Sequence, residues 1–302
     1  MKKLALLTSV LALAACGGGS GSGGGVVPPV INSTEPVENV SFNGAFTVQT
    51  NDEGKIIALV ETWGSPGMEE TDTYQIDPET GKILDIQYST EEETEVIDGA
   101  VQLYGRHVGL KFADFGMMYD KEYIPEWGTI TSWNALLAGN PDKEIQTVNG
   151  TKSFAGTAVA VVGSDTYTIG EYGPTGGDSD VMITNTDNAN LVFDGATGEY
   201  TLVMDFTKSG VDKWYKVTFN STPTDKIATF SNPDNVDIDT KFKLSDDAKY
   251  VHNGEFLADD THFYGDNSDI SEATAEFSIY GLSGIDNNTV HFHSVFGGKV
   301  AE

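Results

Sequence analysis

Three times in this chain an alternating run of apolar and polar residues stops at Asn or Asp, passes a glycine a few positions later and starts again. Ser41-Phe-Asn-Gly-Ala-Phe-Thr-Val-Gln leads through Asn51-Asp-Glu-Gly-Lys into Ile56-Ile-Ala-Leu-Val-Glu-Thr-Trp63. Tyr74-Gln-Ile leads through Asp77-Pro-Glu-Thr-Gly-Lys82 into Ile83-Leu-Asp-Ile-Gln-Tyr88, and Leu191-Val-Phe through Asp194-Gly-Ala-Thr-Gly-Glu199 into Tyr200-Thr-Leu-Val-Met-Asp-Phe206. The Asn or Asp side chain closes each turn on nearby backbone and the glycine supplies positive φ without a Cβ clash, so all three segments read as β-hairpins. Helical periodicity is absent apart from a short stretch over 130–138. The chain is therefore expected to be all-β.

A polar break, Ala138-Gly-Asn-Pro-Asp-Lys-Glu-Ile-Gln-Thr-Val-Asn-Gly150, divides the folded part into a β-rich domain over 40–148 and a second domain over 149–302. In the second, strands are predicted over 153–162, 189–194, 200–207, 214–221, 240–245, 254–257 with 261–264, 273–280 and 289–299. About eight antiparallel segments is the number at which a closed barrel has an interior that side chains just fill. Closure also removes sticky sheet edges. In the last strand Val290, Phe292 and Phe296 should face the core, with His291, His293 and Val295 on the outer face.

The chain begins Met1-Lys-Lys, continues with the apolar run 4–15 and reaches Leu13-Ala-Ala-Cys16, its single cysteine. A charged start, a short apolar stretch and small residues before a cleavage point mark residues 1–15 as a signal peptide, too short for the ~20 residues that span a bilayer. Leu13-Ala-Ala-Cys16 resembles the bacterial lipobox, which implies cleavage before Cys16 and acylation of that residue. Several acyl chains anchor a protein stably, at ~0.8 kcal/mol per buried CH2. Gly17, where an inner-membrane retention signal would place Asp, implies the outer membrane. The alternative is plain cleavage after Ala12-Leu13-Ala14, which would give a diffusible protein. Residues 16–39, rich in Gly, Ser and Pro, form a flexible tether.

Without Lys2 and Lys3 the 17 basic residues fall to 15 against 46 acidic ones. No basic patch can be assembled against that field, so nucleic acid is excluded as a partner. The acidity serves either solubility and monomer repulsion or attraction of a cationic partner.

Phe154-Ala-Gly-Thr-Ala-Val-Ala, His262-Phe-Tyr-Gly265 before Ser271-Glu-Ala-Thr-Ala-Glu-Phe277, and Val295-Phe-Gly-Gly-Lys-Val300 resemble the C-terminal eight-stranded barrel of transferrin-binding protein B-like, Slam-dependent surface lipoproteins. Val108-Gly-Leu-Lys-Phe-Ala-Asp-Phe-Gly116 looks like the handle domain of their shorter, hemophilin-like members. The resemblance implies a handle followed by an eight-stranded antiparallel barrel, display on the cell surface by a Slam-type export protein, and capture of haem or a host protein, in some members together with a TonB-dependent receptor. One handle and one barrel depart from the two-lobed transferrin receptor, which puts transferrin itself in doubt.

Catalytic motifs are missing: there is no Gly-x-Ser-x-Gly, no His-Glu-x-x-His and no phosphate loop, so the chain is read as a binder and not an enzyme. Glu91-Glu-Glu93 with Glu95, and Asp234 with Asp237 and Asp239, lack the spacing of a calcium loop and are read as solvated. His291-Phe-His293 has i, i+2 spacing that can place two rings on one face, a geometry open to transition metal, though no metal is assigned. Leu103-Tyr-Gly-Arg-His-Val-Gly109 is more informative, with His107 in a loop between two glycines beside Arg106, the one arginine of the chain. Imidazole can ligate haem iron and guanidinium can pair with a propionate, so His107, Arg106 and Tyr104 are the candidate haem-contacting residues. Met117, Met118 and Tyr119 could extend an apolar wall. Two readings stand: a monomeric haem-acquisition lipoprotein using His107, or a module that holds haemoglobin or a complement regulator on Trp127, Trp133, Tyr123 and Phe115.

Overall fold

The computed structural model describes residues 37, 40–42, 46–65, 68–89, 95–124, 128–170, 173–208, 212–232, 236–245, 249–251, 259–266, 269–285 and 288–301, with the side chains of 124–131, 165–179, 249–251 and 259 set aside. Cys16, Glu91–Glu93, Trp127, Asp234 and residues 254–257 lie outside the described residues.

All three hairpin turns form as their sequences dictate. Asn51 Oδ1 accepts from the backbone N–H groups of Glu53 and Lys55 at 3.0 Å each, Asp77 Oδ1 from Glu79 at 2.8 Å and Thr80 at 3.2 Å, and Asp194 Oδ1 from Ala196 at 2.8 Å. Gly54, Gly81 and Gly198 take the positive φ each turn needs, at 79°, 73° and 75°.

The first half folds into two antiparallel four-stranded sheets. One has the order β1 (Ser41–Phe42), β8 (Gly128–Gly139), β7 (Ala113–Ile124), β6 (Glu95–Leu103). The other runs β2 (Phe46–Thr50), β3 (Ile56–Ser65), β4 (Met68–Ile76), β5 (Ile83–Gln87). Their facing sides share a core in which Leu59, Tyr74, Ile76 and Ile86 meet Val101, Leu103, Met118 and Leu136. The opposite side of the first sheet, with Phe115, Met117 and Leu137, packs on Val159, Val161, Ile183 and Val295 of the second half. Because β7 and β8 are covered on both sides, their sequences lose alternation and run apolar. That is why 130–138 carried a helix-like pattern. The segment is strand β8.

The second half is one curled antiparallel sheet. Its order is β14 (Lys249–Val251), β13 (Lys226–Ser231), β12 (Lys216–Ser221), β11 (Glu199–Asp205), β10 (Gly173–Asp194), β9 (Thr151–Gly170), β17 (Asn288–Val300), β16 (Asp269–Ser283), β15 (Asp259–Asp266). Eight strands of six residues or more plus the three-residue β14 satisfy the expected eight-stranded barrel. Curling brings strands far apart in that order together across the interior. Phe219 of β12 stacks on Phe277 of β16 with centroids 4.4 Å apart, and Trp214 stacks on Phe292 of β17 at 5.0 Å. Trp214 Nε1 donates to Phe242 O at 3.0 Å and plugs one end, while Ile145, Val148 and Phe193 pack at the other. The interior is solid. Residues 240–245, expected as strand, instead make a 3-10 turn over Thr240–Phe242, because Asp239 caps it by accepting from Lys241 N at 3.1 Å and Phe242 is buried.

The halves dock through aromatic rings seated on glycines. Phe115 occupies the space a Cβ on Gly297 would need, Trp133 does the same over Gly163, and Tyr264 over Gly139. Glu272 of β16 adds a carboxylate clamp, accepting from Lys111 N at 2.7 Å and Phe112 N at 2.9 Å.

Candidate functional site

His107 sits in a single helical turn, α1 (Gly105–Val108), between the two glycines that drew attention to it. Gly105 is required because a Cβ there would strike Asp114, and Gly109 ends the turn with φ 75°. Asp114 holds the turn in place. Its Oδ1 accepts from Gly105 N at 2.7 Å and from Phe115 N at 2.8 Å, and its Oδ2 from Val37 N at 3.1 Å, which ties the start of the body to the same carboxylate. Burial pushes the Asp114 carboxyl up to about 6, against the opposing effect of these three donors.

His107 and Arg106 both reach outward, and His107 Nε2 lies 3.5 Å from Asp187 Oδ1 of β10. Tyr104 is buried, stacked on Phe115 with centroids 6.0 Å apart, and its hydroxyl donates to Gln102 Oε1 at 2.9 Å. Met117 and Tyr119 share the seam with the barrel, whereas Met118 points to the opposite core. The side chains expected to make one haem-facing wall are thus divided between surface, seam and core. Tyr104 is committed to the seam, and a haem at His107 would be gripped at an exposed edge.

The outer-face placement of His291 and His293 holds, with a correction to its meaning. Alternation predicts which side a residue faces and not what covers that side. Here the cover comes from Trp133 of the first half and from the neighbouring barrel strand β16. His291 lies against Trp133 and Tyr280, and the buried His293 pairs through Nε2 with Glu276 Oε1 at 3.0 Å.

Of the anchor aromatics, Phe115 and Trp133 are spent on docking, and Tyr123 is exposed at the far end of β7. That end, the tip of the handle, carries a group the sequence reading missed. Asp120 and Glu122 on β7 face Glu61 on β3, Asp72 and Tyr74 on β4, and Tyr88 just after β5. Trp63 Nε1 donates to Asp72 Oδ2 at 2.8 Å and Ser89 N to Asp72 Oδ1 at 3.1 Å. Tyr74 donates to Glu61 Oε2 at 3.0 Å, and Tyr88 to both oxygens of Glu122 at 2.6 and 2.7 Å. Asp120 is 1% exposed and its Oδ1 has no hydrogen-bond partner. Burial, then the negative charges of Glu122 and Glu61, push Asp120 up to about 7. Glu61 is raised by burial in spite of its bond from Tyr74, and the Tyr74 and Tyr88 hydroxyls are pushed well above their usual range, chiefly by burial.

The strands that carry this buried acid group also expose apolar side chains. Trp63 is 45% exposed, Met68 74% and Tyr123 44%, all near the same end of the handle. Such a combination can bind a partner through aromatic and aliphatic contact while presenting carboxylates for a positive group.

No family model matches the chain, and no curated protein matches it. Among solved structures, the apo crystal structure of the haemoglobin receptor HpuA from Kingella denitrificans is similar over 90% of this chain and 92% of that one, with 12% sequence identity and a TM-score of 0.24. A superposition that loose assigns neither fold nor function.

Proposed function

We propose that the protein is a lipid-anchored outer-membrane protein, exposed at the cell surface, that captures an iron-carrying host ligand, either haem or a haem protein, on its handle. The observation that carries this reading is a division of labour between the halves. The barrel is filled by its own side chains, while among the described residues five of the six exposed large apolar side chains, Trp63, Met68, Leu84, Ile97 and Tyr123, belong to the handle. A solid barrel serves as a platform, and exposed aromatic and aliphatic groups on the other half serve recognition. The expected partners in this reading are the outer membrane through Cys16, a Slam-type export protein and a TonB-dependent receptor.

Exposed Trp63 and Tyr123 favour a protein ligand, a haem protein or a complement regulator, over free haem at the edge of His107. Two experiments test the reading together. Immobilised mature protein should retain a serum or haemoglobin component, and the double variant Trp63→Ala, Tyr123→Ala should lose at least tenfold in affinity for it. Hemin titration should be read at the Soret band in wild type and His107→Ala. A shifted band that depends on His107 would make haem itself the ligand, and the absence of both a protein ligand and a Soret shift would sink the capture reading.

A further inference from the structure

The tip of the handle is charged in a way that folding alone disfavours. Glu61, Asp72, Asp120 and Glu122 bring four carboxylates toward the space between two sheets, where Tyr74 donates to Glu61, Tyr88 to Glu122, and Trp63 Nε1 and Ser89 N to Asp72. Asp120 Oδ1 is buried without any partner. A desolvated carboxylate oxygen with no donor is unfavourable unless a positive group completes it.

We propose that the handle tip is a binding site for an organic cation, an alkylammonium or guanidinium group, which donates to Asp120 Oδ1 and is flanked by Glu61, Glu122 and the exposed ring of Trp63. Charge-assisted N–H bonds to carboxylate are the strong kind, and an indole face beside them attracts the same cation. The negative field of the chain draws such a ligand in. A metal ion fits less well, since it needs several oxygens converging at ~2.3–2.6 Å. Among the described residues no three His, Cys, Asp or Glu side chains are grouped to hold one. The inference rests on the handle being the ligand-binding half and specifies the chemistry that half reads. Its natural source is either a free small cation or an Arg or Lys side chain on a captured protein.

Binding needs Asp120 ionised, so affinity should rise between pH 6 and pH 8. The titratable groups facing Asp120 are Glu122 on its own strand, Glu61 from β3, Asp72 and Tyr74 from β4 and Tyr88 after β5. The strand neighbours opposite it in register, Gly99 of β6 and Ser132 of β8, do not titrate.

The test is calorimetric titration of the mature protein with ethylguanidinium, with a short neutral peptide carrying one arginine, and with calcium chloride. Ethylguanidinium or the peptide should bind wild type, bind Asp120→Asn at least tenfold more weakly, and bind the exposed control Asp85→Asn as they bind wild type. Equal affinity for the two probes assigns a free small cation, and tighter binding of the peptide assigns a protein side chain. Absence of binding by both, binding unchanged in Asp120→Asn, or binding of calcium in place of the organic probes would each overturn the proposal. Asp120→Asn removes a buried charge and should melt no lower than wild type, so lost binding is separable from lost folding. If a serum ligand is retained equally by wild type and Asp120→Asn, the cation site falls while capture stands. If the peptide binds as expected but no serum ligand or hemin is held, capture falls while the site stands.

Discussion

The ring of Phe115 in β7 fills the position that a Cβ on Gly297 in β17 would occupy, so one aromatic side chain of the handle is keyed into the backbone of the barrel. Replacing Gly297 by Ala should push that ring from its seat and cost about 1–3 kcal/mol, the usual range for overpacking. Phe115→Ala alone should also destabilise, by loss of buried area. The double variant should be less destabilised than the sum of the two, and a coupling near zero in urea denaturation would show that the seat does not hold the halves together.

Glu272→Gln keeps shape and removes charge from the clamp on Lys111 N and Phe112 N. One amide oxygen can replace one acceptor, and the amide nitrogen would then face an N–H donor. A loss of about 1–3 kcal/mol is expected, with faster hydrogen exchange at residues 111 and 112 than in wild type.

His262 links β15 to the segment between the halves, with Nδ1 2.8 Å from Glu144 Oε1 and Nε2 2.9 Å from Asp260 Oδ2. Asp260 first, then Glu144, raise its imidazole from 6.5 to about 9 against the opposing effect of burial. The folded state therefore holds the proton more tightly than the unfolded state. The stabilisation is fully present below pH 6.5 and is lost as pH rises through 9. His262→Gln should lower stability by about 1 kcal/mol at pH 6 and by much less at pH 10, measured as denaturation midpoints.

Asp120 gives a pH dependence of the same sign, because its carboxyl too holds a proton more tightly in the folded state. Its carboxyl rises from 3.8 to about 7 on folding, so the unfavourable buried charge is absent near pH 4 and grows as pH climbs through 7. The melting temperature of Asp120→Asn minus that of wild type should be larger at pH 8 than at pH 5. A difference that does not change with pH would mean that Asp120 is solvated.

Cys16→Ser should move the protein from the membrane fraction to the soluble fraction, and mass spectrometry of the wild-type N-terminus should show an acylated cysteine. An unmodified N-terminus would return the alternative of cleavage after Ala14.

Turns and sides were legible where chemistry is local. Asn51, Asp77 and Asp194, each with its glycine, make the hydrogen bonds and positive φ angles that their sequences require. What covers a side was not legible, because alternation is blind to whatever packs from elsewhere in the chain. His293 and Val295 face out of the barrel as expected, yet both are buried, Val295 against the handle and His293 beside Glu276. For the same reason β8 looked helical, and the seam role of Tyr104 was hidden. The acid group at the tip left one unread signal. Asp120 and Glu122 stand two apart on one strand, directly after the apolar run Phe115-Gly-Met-Met-Tyr119, so both must turn to the same side.

In the curled sheet the first strand of the second half lies beside the last, β9 pairing with β17 from Phe154 against Val300 to Thr166 against Asn288. Every residue from the middle of the chain must therefore be made and delivered before the first barrel strand finds that neighbour. The handle waits as well, since Gly297, the seat for Phe115, arrives with the same strand. The central pairing of the sheet and the surface shared by the two halves are therefore both completed by one strand, β17.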